Sequence, residues 1–316
     1  MSASMSDVPV HAVPELSARG AVVRMGVGAA MLSSTSIFVA LAHVPPTVSA
    51  FYRMLFGGVV LLAWVALRGQ WRKIHLRDIG LALLPALGFA ADLAQWHHSI
   101  LWVGPGVATL LTNVQVFLLA LVGALFYRER LARGFVPGML LAMAGLWLLV
   151  GVHWEVLDER HRLGVWLGLG SALAYTLYLL SFRSALSGRT HMSAAQLLGL
   201  MSLLSAVLLW LLGWWRGDSF ALHGLRNWSA LLGLGLFGQV LAWLLIVRAM
   251  PNLPASLVGL LLLLQPSLAF VLDVLLFHRA TSVADWLGLV LALAGILLGA
   301  WRPRRRPVMT TTEETT

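Results

Sequence analysis

Gly138-Met139-Leu140-Leu141-Ala142-Met143-Ala144-Gly145 and Gly288-Leu289-Val290-Leu291-Ala292-Leu293-Ala294-Gly295 are one pattern written twice, 150 residues apart. At the same offset Gly88 meets Gly238 and Gln115 meets Gln265, with no gap between. Leu and Ala matches carry little weight in so apolar a chain; paired Gly and Gln at one spacing carry much more. Both stretches lie in apolar segments of membrane length, so the chain reads as a duplicated membrane bundle. Many secondary transporters are built this way, with the substrate held between the two copies.

Of the 316 residues, 59% are hydrophobic and 11% are charged, and the mean hydropathy is +0.84. A soluble chain of this size needs far more polar surface, so most of it belongs in lipid. The net charge of +9 does not point to nucleic acid. The basic residues, all Arg except Lys73, sit in short connectors between apolar runs, where they act as a membrane orientation signal. The absence of Cys excludes disulfides, thiolate metal sites and Cys nucleophiles. Residues 1–20 are polar, without the apolar core of a targeting peptide.

A spanning helix takes about 20 mostly apolar residues. Ten such segments are expected: 25–43, 47–67, 79–101, 105–127, 134–152, 163–185, 194–215, 228–250, 254–277 and 285–301. Turn signals separate them, such as Pro45-Pro46, Gly104-Pro105-Gly106 and Pro251-Asn252-Leu253-Pro254. With the N-terminus inside, sixteen of the 22 Lys and Arg fall on the cytoplasmic side, five fall outside, and Arg53 lies within a span. Both termini are therefore expected in the cytoplasm. Five spans per copy is an odd number, so the second copy must run opposite to the first. The expected fold is all-α, ten transmembrane helices in two inverted five-helix repeats. A tail (1–20) precedes the first repeat (25–152); the second repeat (163–301) leads into a basic, polar tail (302–316). Most Trp residues lie near span ends as interfacial anchors, but Trp96 and Trp243 lie well inside spans three and eight.

This arrangement resembles the EamA-like members of the drug/metabolite transporter superfamily over nearly the whole chain. Gln115-Val116 is followed by Arg128-Glu129-Arg130-Leu131, and Gln265-Pro266 by His278-Arg279-Ala280-Thr281, similar to the family's fourth-span ending and the turn after it. Arg53 early in span two and the Gly-spaced fifth and tenth spans also fit. Two positions depart: Val116 stands where the family often has Pro, and Arg279 stands where the second copy would carry Glu. The resemblance implies a central cavity lined by spans 1, 3, 4, 6, 8 and 9, with spans 5 and 10 as scaffold. It also implies movement of metabolites, amino acids or drugs, mostly outward, across a bacterial inner membrane.

Polar side chains in lipid are costly and should face a cavity or one another. Span three carries Asp92, Gln95, Trp96 and Ser99 at i, i+3, i+4 and i+7, one helix face that reads as cavity lining. Hydrogen bonds that merely hold the bundle together are the alternative. Asn113, Gln115 and Gln265 are the amide candidates for solute binding, able both to donate and to accept. Gln239 with Trp243 on span eight, and Tyr175 with Tyr178 on span six, share faces. With Trp96 these aromatics either pack or form a π-rich box for an aromatic or cationic solute. Four residues stand as coupling or gating candidates. Arg53 is expected to pair with Asp273 or Asp92 as a clasp or gate, and His97 and His98 titrate in the range a proton-coupled step would use. The Ser33-Ser34-Thr35-Ser36 run lines the cavity or bonds back to its own helix.

No Walker-type Gly-Lys-Ser/Thr loop is present, so ATP-driven transport by this chain alone is not expected, and no cofactor or metal is implied. The leading expectation is a secondary transporter, an exporter of a small-molecule solute, embedded in the cell membrane as a multi-pass protein. Proton coupling and a homodimer through the Gly-spaced fifth and tenth spans stay open. The alternative is an intramembrane enzyme acting on a lipid-linked substrate, for which His97, His98 and Asp92 form the only acid/base cluster. A channel is the third reading, weakened by the lack of a filter-like sequence.

Overall fold

The computed structural model describes residues 18–126, 133–151, 157–186, 190–249, 261–262 and 264–300, and all regular structure among them is helical. In order come α1 (Ala18–Leu41), α2 (Pro46–Leu67) and α3 (Leu76–Val103). The fourth apolar segment divides into α4 (Pro105–Thr112) and α5 (Gln115–Phe126), and α6 (Phe135–Leu146) runs into a π-helical turn at Trp147–Gly151. The second copy follows with α7 (Glu159–Leu186) and α8 (Ala194–Arg216). Its next segment joins α9 (Gly224–Gly233), a π-helical stretch (Leu234–Leu241) and α10 (Ala242–Ala249). The last two helices are α11 (Leu264–Phe277) and α12 (Val283–Ala300). Seven helical segments are long and apolar enough to cross a membrane, and Phe135–Leu149, Leu264–Phe277 and Val283–Gly299 are shorter apolar ones. The expected start of span nine, 254–260, and the Arg128–Leu131 turn lie outside the described residues.

The boundaries follow local chemistry. Pro46 opens α2 at its first position, where a missing N–H costs nothing. His75 and Asp78 close a reciprocal cap on α3. The Ser193 hydroxyl accepts the Gln196 N–H at the start of α8, and Gly217, left-handed at φ 75°, ends it. Two of the expected spans depart locally from regular α-helix. Around Asn113–Val114 the backbone tightens to i→i−3 bonds, while the Thr109, Thr112 and Asn113 side chains donate to carbonyls four residues back. The π stretch falls where Gly233, Gly235 and Gly238 let Phe38, Phe56 and Thr35 press against the helix backbone.

Glycine contacts reveal how the halves meet. A Cβ on Gly138 would run into the backbone of Gly295 and Gly299, and one on Gly145 into Ala292 and Gly288; Gly295 in turn faces Ala142 and Gly138. The two copies of the octapeptide therefore pack backbone to backbone. Numbers rise on one helix as they fall on the other, so α6 and α12 are antiparallel. The same crossing recurs between α3 and α7, where Gly88 meets Tyr178 and Gly164 meets Val103. It recurs again between α1 and the α9–α10 segment, where Gly28 meets Ile246 and Gly233 meets Phe38. α6 and α12 are repeat equivalents, and the other two contacts, span three with span six and span one with span eight, are exchanged by the same two-fold; all three are antiparallel, the relation an inverted duplication requires. Close Gly-mediated approach is the usual way lipid-embedded helices associate, because no hydrophobic gain is available between them. The Gly faces of α6 and α12 are thus used within the chain, and a dimer built on them would have to break that packing. Large apolar side chains such as Leu140, Leu173, Trp166 and Val290 point outward and exposed, as a lipid-facing surface demands.

Candidate functional site

A cavity of about 70 Å³ lies where the halves converge. That is room for a few waters, far below the roughly 300 Å³ or more of a drug-sized ligand site. Leu32 and Thr35 of α1, Arg53 of α2, and Phe89, Asp92, Leu93 and Trp96 of α3 form one side. Thr109, Thr112 and Asn113 line it from α4 and its break, and Gln115 from the first residue of α5. Tyr175 of α7, Trp243 of α10 and Gln265 at the start of α11 complete it. Gln115 and Gln265, matched by the repeat, face one cavity from two antiparallel halves. α6 and α12 contribute nothing to the lining.

Arg53 is buried, 6% exposed, and its Nε has no partner. Its guanidinium lies 5.5 Å from the Trp96 ring centre and 5.9 Å from that of Phe89. No carboxylate among the described residues comes within ion-pair distance of it. Asp92 accepts a hydrogen bond from the Ser171 hydroxyl of α7 at 2.6 Å, and Thr112 lies 3.0 Å beyond that hydroxyl. Gln115 Oε1 is buried and unpartnered, whereas the Asn113 amide N–H is already given to the Thr109 carbonyl. The centre therefore holds a guanidinium nitrogen and an amide oxygen that the protein itself does not satisfy, beside a carboxyl bonded to Ser171.

The other candidates lie elsewhere. Gln95 packs on Gly170 of α7 and donates to the Ala91 carbonyl, and Ser99 donates to the Gly164 carbonyl. The polar face of span three is therefore shared between the cavity, reached by Asp92 and Trp96, and the α7 contact. His97 is fully buried with Nδ1 2.7 Å from the Ser49 hydroxyl; His98 donates from Nδ1 to the Ala94 carbonyl and stands edge-on to Trp102. Tyr178 stacks on Phe89 with ring centres 4.4 Å apart, one residue behind the lining. Gln239 donates to Ser202 of α8. Ser33, Ser34, Thr35 and Ser36 each donate to the carbonyl three residues back, so these hydroxyls serve α1 first. Asp273 pairs with Arg279 at 3.4 Å, not with Arg53, because the end of α11 brings it against the turn between α3 and α4.

That second contact closes one end of the bundle. Arg279 donates to the Val103 carbonyl at 2.8 Å, and Asp273 accepts the Gly106 N–H at 3.2 Å, across a turn where Gly104 has φ 87°. Above it opens a wider vestibule of about 690 Å³ that reaches down to Val107, less than a turn from cavity-lining Thr109. Sequence reasoning had not singled out Phe89, Leu93, Thr109, Thr112 or Ser171. Phe89 sits three residues before Asp92, so extending the span-three face by one turn would have reached it. Ser171 is one of several hydroxyls in its span, and nothing in the sequence marked it as the partner of Asp92.

The EamA-like transporter family matches residues 21–151 and 162–300, once per half. The uncharacterized transporter YwfM of Bacillus subtilis is 26% identical over 282 residues, covering 86% of this chain and 91% of that protein. The chloramphenicol-sensitive protein RarD of Pseudomonas aeruginosa is 31% identical over 245 residues, covering 72% and 75%. One solved crystal structure superposes with a TM-score of 0.64 at 18% identity over 90% of this chain and 98% of that one, a likeness of fold alone. With its two apolar, antiparallel halves each matched in turn, the chain belongs to the EamA-like transporter family and is a multi-pass membrane transporter.

Proposed function

We propose that the protein exports a small organic solute across a bacterial inner membrane by alternating access, with both termini in the cytoplasm. The observation that carries this reading is the meeting of Gln115 and Gln265 at one cavity, supplied by repeat-equivalent, antiparallel helices. Two halves that rock about such a point expose it first to one side and then to the other. Arg53, Asp92, Trp96, Asn113, Gln115, Tyr175, Trp243 and Gln265 would contact the solute. Gln95, Tyr178 and Gln239 would support them from behind. Asp273 with Arg279 would be the outer gate. Asp92 is the carboxylate among the described lining residues, so proton coupling is assigned to it rather than to His97 or His98, which are turned toward Ser49 and Ala94.

Solute counterflow into liposomes containing the purified protein, run over a panel of metabolites, amino acids and drugs, tests the reading. Gln115→Ala and Gln265→Ala should each reduce flux of the responding solute by about tenfold, the scale of one lost hydrogen bond to a buried group. Conversion of a lipid without any solute flux would replace the transporter by an intramembrane enzyme. Finding the two termini on opposite membrane faces would remove the inverted arrangement.

A further inference from the structure

A second cavity lies directly behind the first. It measures about 110 Å³ and is enclosed by Leu61, Leu179, Phe182, Leu198 and Leu244, with the Tyr178 ring at one side. Trp243 borders both chambers, facing Arg53 and Asp92 across the first and the leucines across the second. It is partly buried in a short helix that follows the π stretch, and Phe89, Tyr175 and Tyr178 continue the partition beside it. Neither chamber alone takes an organic solute, but a turn of one side chain would join them. A dry apolar cavity of about 150 Å³ accepts benzene; the second chamber at about 110 Å³ reaches that size only when joined to the first, so a branched alkyl or phenyl group fits once Trp243 yields.

The first chamber selects the other end of the molecule. Arg53 lines the chamber, is more than nine-tenths buried with its Nε unpartnered, and no carboxylate of the described residues neutralises it in contact. A guanidinium so placed matches a carboxylate in planar, two-pronged fashion. Asp92 shares that chamber, already holding the Ser171 hydroxyl, and would repel a second anionic group. Resting on the transport reading of the central cavity, we propose that the solute is an amphipathic monocarboxylate. Its carboxylate lies on Arg53 and its apolar body passes Trp243 into the leucine-lined chamber.

The test is a thermal-shift and competition series on the full chain in detergent with acetate, butyrate, phenylacetate, 3-phenylpropionate and 4-phenylbutyrate. 3-Phenylpropionamide, phenethylamine and phenylsuccinate serve as controls. Affinity should rise about fourfold per buried methylene until the second chamber is full. The amide, amine and diacid should bind at least about tenfold more weakly than the matching monoacid. Leu198→Phe, which fills the second chamber, should abolish the gain from the longer bodies and leave acetate unchanged; Arg53→Gln should weaken every acid alike. The folded state of each variant is read from its own unliganded melting curve, and Ala195→Leu fills the same chamber should Leu198→Phe melt early. Equal binding of amine and acid, or a length dependence unmoved by filling the chamber, would overturn the proposal while leaving transport intact. Counterflow failing for every solute in the general panel would instead overturn the transport reading beneath it.

Discussion

With both termini in the cytoplasm as proposed, replacing Arg279 by Gln should unlatch the outer end of the bundle. In the structure Arg279 does two things there: it donates to the Val103 carbonyl at 2.8 Å and holds Asp273 at 3.4 Å. A hydrogen bond from a charged donor contributes about 1.5–3 kcal/mol. The Arg279 side chain is 25% exposed, so solvent screening places the ion pair's share near the lower end. The loss is then about 2 kcal/mol of preference for the closed outer side, or about a thirtyfold rise in the outward-open population. The native chain has no cysteine, so a Thr109→Cys reporter would be its sole thiol. Thr109 is 2% exposed and lines the central cavity one step below the vestibule. Its labelling by a membrane-impermeant methanethiosulfonate added outside should speed up by about thirtyfold in Arg279→Gln. Arg279→Lys, which keeps a donor, should fall between. Unchanged labelling in a variant with normal melting would refute the latch, and faster labelling only from the inner side would reverse its assignment.

Four further outcomes follow from the packing and the helix cap. Gly145→Leu should cost about 1–3 kcal/mol, because its side chain meets backbone of Gly288 and Ala292 that cannot step aside. Gly80→Ala, at a helical position with open space, should instead stabilise by about 0.5–1 kcal/mol. Melting curves in detergent separate the two. Ser171→Ala should cost about 1–3 kcal/mol by leaving a buried Asp92 oxygen without its donor, and should alter the pH profile of flux where Gly80→Ala does not. Asp158, ahead of α7 and outside the spans, has its carboxyl held below the usual range, first by the His161 backbone N–H and then by the His161 side chain. A depressed carboxylate stabilises fully above its unfolded value of about 3.9 and loses that contribution as acid protonates it in the folded state. The protection factors of amides in the first turn of α7 should therefore be unchanged from neutral pH down to about 5 and fall below about 4. Protection factors that hold in acid would contradict the cap.

The class of protein and the antiparallel relation of its halves were legible in the chain. Lipid demands long apolar segments and internally satisfied backbone, and an odd number of segments per copy leaves one way to arrange the duplicate. The octapeptide copies were legible as a repeat, but not as each other's packing partner; that needed two backbones brought together through their glycines. At the centre, composition could say that Asp92, Trp96, Gln115 and Gln265 were too polar or too large to be casual. It could not say that Gln95 and Ser99 turn to α7, that Ser171 takes Asp92, or that Arg279 rather than Arg53 holds Asp273. Sequence periodicity ranks residues by helix face, but which neighbour a face meets depends on the rotation and depth of a second helix. Those are set by shape, through glycines and breaks spread over the whole bundle. The chain by itself determined what must lie in the membrane and how often it crosses. Only the tertiary structure decided which few polar groups share water at its middle, because that choice belongs to pairs of helices and not to any one of them.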